Sequence, residues 1–112
     1  MKRATATIYA SWFQCLADPT RIVILNLLAR ARRPMTVGEI VDSIDVGQST
    51  VSHHLKLLAQ TRFVLVEPRG AASLYRVNER CIECFPSAAE VIMGRVAVPA
   101  QPQAASPPWL ES

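Results

Sequence analysis

The sequence predicts a mainly α-helical chain that carries one small β-hairpin. Three observations predict it. Thr36-Val37-Gly38-Glu39 is a capping box that opens a short helix, and a glycine-containing turn, Asp45-Val46-Gly47, follows. The next stretch, Gln48 to Gln60, splits into two helical faces. Val51, Leu55 and Leu58 fall at i, i+4 and i+7, whereas Ser49, Ser52, His53 and Lys56 point the other way. Two short runs rich in β-branched and aromatic residues then flank Arg69-Gly70-Ala71-Ala72, as in a hairpin. Helix, tight turn, helix and trailing hairpin together make a winged helix-turn-helix.

The 112 residues, 50% hydrophobic, suffice for one domain and a tail. A first helix is expected from about Thr5 to Leu16, with Ile8, Trp12, Cys15 and Leu16 on its apolar face. Asp18-Pro19 reads as an N-cap followed by proline at the first helical position. The second helix, Thr20 to about Arg30, carries Ile22, Val23, Ile24, Leu25, Leu27 and Leu28. It is apolar nearly all round, so it is expected to be the buried central helix. Arg30, Arg32 and Arg33 suit a helix C-terminus, and Pro34 prevents continuation. The third helix runs to about Ile44, with Val37, Ile40, Val41 and Ile44 inward, and the fourth covers Gln48 to Gln60.

Phe63 to Glu67 and Ser73 to Val77 are the two strands of the wing. Asn78 is expected to cap a further turn. Pro86 interrupts it, because proline has no N–H to pair and forces Phe85 out of helical geometry. Cys81 and Cys84 then sit on a separate turn. A last helix follows from Pro86 to about Val98, with Ala88, Ala89, Ile92, Met93 and Val96 as its stripe. Residues 1–98 form the folded domain, and the proline-rich segment 99–112 is expected to be a disordered tail. The first and last helices carry apolar stripes beyond what a small domain needs. A two-fold homodimer through those helices follows as a hypothesis.

The outer face of the fourth helix is short, polar and free of carboxylates. That suits a helix lying in the major groove of double-stranded DNA. Gln48, Ser49, Thr50, Ser52, His53 and Lys56 are the candidate contacts on it, and Arg69 and Arg76 of the wing the candidate phosphate contacts. His54 is expected to pack at the helix flank, since adjacent histidines on a helix point about 100° apart and rarely share one ion. Net charge is +3. Residues 48 to 80 hold Lys56, Arg62, Arg69, Arg76 and Arg80 against Glu67 and Glu79, a local surplus that favours a polyanion. There is no phosphate-binding glycine loop and no H-E-x-x-H, so nothing favours an enzyme. No apolar run reaches the roughly 20 residues of a membrane span. No signal peptide follows the basic start, so the expected location is cytoplasmic.

Leu16-Ala17-Asp18-Pro19-Thr20-Arg21, Val37-Gly38-Glu39-Ile40 and Gln48-Ser49-Thr50-Val51-Ser52-His53-His54-Leu55-Lys56 resemble the ArsR/SmtB family of bacterial metal-responsive repressors. The resemblance covers about residues 8 to 98. It implies a winged-helix homodimer whose metal-free form binds operator DNA and represses transcription until an inducer releases it. Arsenic-sensing members carry a cysteine-valine-cysteine run at the start of the third helix. Here Thr36, Val37 and Gly38 stand there, so that site is missing.

The thiols present are Cys15, Cys81 and Cys84, an odd number that argues against a disulfide framework. The resemblance brings their two regions together at the dimer interface, with Cys15 from either subunit. Three thiolates make a soft trigonal site. Trivalent arsenic or antimony takes three sulfurs in a pyramid, so As(III) or Sb(III) is the expected inducer. Cadmium or lead is the alternative, and zinc lacks a fourth ligand. No organic cofactor is implied. Oxidation of Cys81 and Cys84 to a disulfide is a competing switch, and Cys15 also fits plain core packing. In a different class, the same fold serves as a protein-interaction module that does not bind DNA.

Overall fold

The computed structural model describes residues 1–80 and 89–95. Among the described residues the elements run in the order α1 (Arg3–Cys15), α2 (Pro19–Ala31), α3 (Val37–Ser43), α4 (Gln48–Gln60), β1 (Val64–Arg69) and β2 (Ala72–Val77), with a further helical turn at residues 89–92. This is the mainly helical fold with a wing that the periodicities predict.

The helix starts are set by local chemistry. Asp18 caps α2, its Oδ1 accepting from the N–H groups of Thr20 at 2.8 Å and Arg21 at 3.2 Å. The capping box at α3 is complete: Thr36 Oγ1 accepts from Glu39 N–H and Glu39 Oε1 from Thr36 N–H. The Glu39 carboxyl is held below its ordinary value, first by that Thr36 N–H and then by Arg33, whose Nη1 lies 2.9 Å away.

One core gathers Tyr9, Trp12, Ile24, Leu28, Met35, Ile40, Phe63, Val64 and Val77 around Val51, Leu55 and Leu58 of α4. Tyr9 and Trp12 pack at a ring-centroid distance of 4.9 Å, tilted by 50°. On α1 the buried line is Thr5, Tyr9, Trp12 and Cys15, so Tyr9 rather than Ile8 is fully inside. The expectation for α2 is corrected more strongly. Ile24 and Leu28 are buried, but Ile22 and Val23 are 51% and 49% exposed. The domain is too thin to cover a helix on both sides, so an all-round apolar helix here keeps one bare face.

The ribbon has a feature that periodicity does not carry. Met35 and Tyr75 exchange backbone hydrogen bonds of 2.9 and 2.8 Å, adding a one-residue bridge to the inner side of β2. β2 is therefore central and β1 is the outer edge. Tyr75 spends its bonds on Met35, so its pairing with Val66 is a non-hydrogen-bonded one. Pro68, two residues on, therefore turns its nitrogen to the free edge, where proline removes no ladder bond. The strands run further toward the tip than expected, leaving Gly70-Ala71 as a two-residue loop. Gly70 takes φ +61 there, the first-position left-handed residue that a type II′ turn requires.

Asn78 is 1% exposed. Its Nδ2 donates to Arg62 O at 3.0 Å and its Oδ1 accepts from Arg80 N–H at 3.2 Å. It thus ties the hairpin base to the end of α4 and starts the expected turn. The last helix stops earlier than Val98. Residues 89–92 are helical, Gly94 takes φ +77, and Arg95 N–H bonds Glu90 O while Gly94 N–H bonds Val91 O. This pair of bonds is a Schellman close with glycine in its preferred place. Pro86, Ala88, Val96 and Val98 lie outside the described residues, as does the tail.

Leu55 sits at 0% exposure in the middle of this core. Leu55→Ala should cost about 2–5 kcal/mol, read as a lower urea midpoint at unchanged m-value. A loss below about 1 kcal/mol would contradict the packing described.

Candidate nucleic-acid interface

Burial splits α4 as its sequence requires. Val51, Leu55 and Leu58 are inside, while Gln48, Ser49, Thr50, Ser52, His53 and Lys56 are all exposed. Gly47 caps the helix without a side-chain bond, and the first turn holds no acidic residue. Its N–H groups and the positive end of its dipole therefore face outward unneutralised.

The two histidines separate as expected. His53 is exposed and His54 is buried, with ring centroids 5.7 Å apart. His54 Nδ1 lies 3.4 Å from Arg21 Nη1. Arginine has only donors, so Nδ1 accepts and the ring proton belongs on Nε2. Arg21 Nε also donates to Cys15 O at 2.6 Å. One guanidinium thereby links the end of α1, the start of α2 and the middle of α4. Burial at this junction pushes the Asp18 carboxyl up. The N–H groups of Arg21 and Thr20, with smaller contributions from His54 and Arg21, outweigh it and hold the carboxyl below its ordinary value.

The wing residues divide. Arg69 is exposed at the end of β1, next to the loop. Arg76 pairs with Leu65, on the side of the ribbon away from Val64, Val66, Tyr75 and Val77. It borders a cleft with Leu28, Arg32, Arg33, Pro34 and Glu79, and a second with Arg62, Leu65, Val66 and Glu67. A groove does lie between α4 and the ribbon. Ser52, Lys56, Gln60, Arg62, Val66 and Tyr75 line it. The sequence reading counted Arg62 in the basic surplus but gave neither it nor Tyr75 a role. Only the return of the ribbon past α4, which Met35 and Asn78 fix, brings them to this side.

Cys15 is buried, its Sγ 3.3 Å from Thr61 Oγ1 and 3.9 Å from Leu57 O. It points at the last turn of α4 and lines a small cavity with Ser11, Gln14, Arg21, Gln60 and Thr61. Cys81 and Cys84 lie outside the described residues. Among the described residues no group of three or more His, Cys, Asp or Glu side chains is placed to hold a metal ion. No helix among them is long and apolar enough to cross a membrane.

Residues 18–65 match the family profile described as "Bacterial regulatory protein, arsR family". The chain is similar to an uncharacterised HTH-type transcriptional regulator of Methanocaldococcus jannaschii, 37% identical over 68 residues that span 61% of this chain and 75% of that protein. It is 32% identical over 71 residues to the arsenical resistance operon repressor of Bacillus subtilis, spanning 63% of this chain and 67% of that one. Among solved structures it resembles the homodimeric winged helix-turn-helix DNA-binding domain of a possible ArsR-family regulator from Mycobacterium bovis. The TM-score is 0.67 at 24% identity, over 87% of this chain and 88% of that chain, a likeness of fold.

Asp18→Ala should lower the melting temperature at neutral pH. A carboxyl held low in the folded chain stabilises fully above its unfolded pKa, and that stabilisation is lost as pH falls through the folded value. The difference between variant and parent should therefore close in acid. A gap in circular-dichroism melts that persists there would contradict the capping account.

Proposed function

The chain belongs to the ArsR family of bacterial regulatory proteins, and from that premise we propose a homodimeric repressor that leaves its operator when its thiols capture As(III) or Sb(III). The observation that carries the DNA-binding half is the exposed, carboxylate-free ridge of α4 with a dry back. Gln48, Ser49, Thr50, Ser52 and His53 face base edges, and Lys56 and Arg69 hold phosphates.

Dimerisation covers apolar surface that a single chain leaves bare. Phe13 on α1 and Ile92 and Met93 near the last helix end are exposed. Two copies related by a two-fold axis present two ridges to a palindromic site. The homodimer of the M. bovis relative supports this reading.

For the inducer, Cys81 and Cys84 supply two thiolates and Cys15 the third. The position of Cys15 supports a coupling as well as a ligand role. Its sulfur contacts Thr61 and Leu57 of α4. Drawing it into a pyramidal site displaces that contact and with it the seat of the recognition helix. Coupling of this kind is typically about 1–3 kcal/mol, or roughly 5- to 150-fold in operator affinity. The arsenical relative supports the choice of metalloid.

The test is release of the protein from labelled DNA upstream of its own gene, followed by anisotropy under reducing conditions. Arsenite or antimonite at near-stoichiometric amounts should release it, and Cys15→Ser, Cys81→Ser and Cys84→Ser should each blunt the response. Release by cadmium or lead alone would reassign the ligand. Release that needs peroxide and ignores arsenite would make the switch redox. No shift at low salt would favour the interaction module. Lys56→Ala should weaken binding to every sequence and reduce the slope of log K against log salt by about 0.9.

A further inference from the structure

The end of α4 holds an unusual residue. Arg62 takes φ +64, with its N–H bonded to Ala59 O at 3.1 Å and the N–H of Phe63 bonded to Leu58 O at 2.9 Å. These are the two bonds of a Schellman close, and the left-handed position within it favours glycine, because a Cβ crowds the backbone there. Gly94 fills the same position with the same pair of bonds at the end of residues 89–92. Arginine at the close of α4 is therefore not what helix termination selects.

The backbone of Arg62 is also fixed, since its carbonyl accepts from the buried Asn78. The root of its side chain is thus aimed, and it lines the groove between α4 and the ribbon with Lys56, Ser52, Gln60 and Tyr75. No carboxylate lines that groove. Among the described residues neither Lys56 nor Arg62 forms an ion pair, and the Tyr75 hydroxyl makes no hydrogen bond. Arg32 closes α2 with φ +55 as well, but it lines a cleft on the far side of the ribbon from α4, with Arg33, Pro34 and Glu79. The groove beside α4 brings two cations and a phenol together with no carboxylate in its lining, and Glu67 and Arg76 border Arg62 in the adjoining cleft without an ion pair to it.

The shape of DNA says what passes there. A helix in the major groove and a wing over the adjacent minor groove stand on either side of one sugar–phosphate strand. That strand must run between them. We propose that Arg62 is a DNA-contacting residue that clamps, with Lys56 and the Tyr75 hydroxyl, a backbone phosphate in the groove between α4 and the wing. The proposal rests on the reading that α4 enters DNA. A guanidinium supplies paired N–H donors that match phosphate oxygens, which a lysine at this corner lacks.

Arg62→Gly separates this role from a structural one, because the two predict opposite signs. Binding to a fluorescein-labelled duplex of random sequence is followed by anisotropy between about 50 and 200 mM salt, alongside thermal melts of the free protein. The expected result is about tenfold weaker binding, a salt slope smaller by about one, and a melting temperature equal to or above the parent's. Arg62→Lys, which keeps the charge, should restore the slope. A parental slope in Arg62→Gly while the parent binds overturns the assignment of Arg62 alone. So does a lowered melting temperature, which would make the arginine a folding residue. A parent that fails to bind the duplex at low salt overturns the underlying reading as well.

Discussion

Val51, Leu55 and Leu58 are wholly excluded from water, and the contact they make fixes where the outer face of α4 stands. A surface that reads DNA must leave its donors and acceptors unsatisfied in the free protein. Such a helix gains little from its own polar side, so its position must come from the opposite one. Burying an aliphatic side chain contributes about 1.5–3 kcal/mol, and three of them hold α4 against Ile24, Leu28, Ile40 and Phe63. The ridge can then stay bare without the helix rotating to cover it.

Position along the axis needs more than greasy contact, which is non-directional. Arg21 supplies the direction. Its guanidinium reaches the Cys15 carbonyl on one side and His54 Nδ1 on the other. Asp18, which accepts from the Arg21 N–H, caps the helix that carries Arg21. The polar junction and the Cys15 sulfur therefore both sit where α1 meets α4. The Cys15 sulfur touches α4 directly, at Thr61 and Leu57, so no part of the core lies between them.

Much of this was legible in the sequence because it was written locally. Asp18-Pro19, the Thr36–Glu39 box and the polar-apolar split of residues 48–60 each act within a few residues, and the helices begin where those signals stand. What was not legible was non-local or disguised. The Met35–Tyr75 bridge is backbone alone and leaves no mark in side-chain pattern. Choosing Tyr9 over Ile8 depends on which way α1 is rolled, which Trp12 and the core decide. The bare face of α2 depends on how thick the domain is, and no period reports that. Arg62 hides the close of α4, because the usual glycine signal is absent, whereas Gly94 was a visible stop for the last helix that the longer apolar stripe outweighed. The polar residues of α4 share one exposed face, as their spacing requires. Arg76 was assigned from its place on the wing, and alternation along β2 sets it with Leu65 on the ribbon face opposite Tyr75.

Pro68 has a consequence for how copies of this chain coexist. β1 is an outer strand with a free row of backbone groups, and such a row is a template for another chain to add itself. The missing N–H at Pro68 breaks that row near the tip, where the ribbon stands furthest from the helices. Copies crowded side by side on one stretch of duplex are thus denied continuous strand pairing through their wings. An edge interrupted in this way is a poor template for a second chain, which lowers the tendency of copies to aggregate through their ribbons.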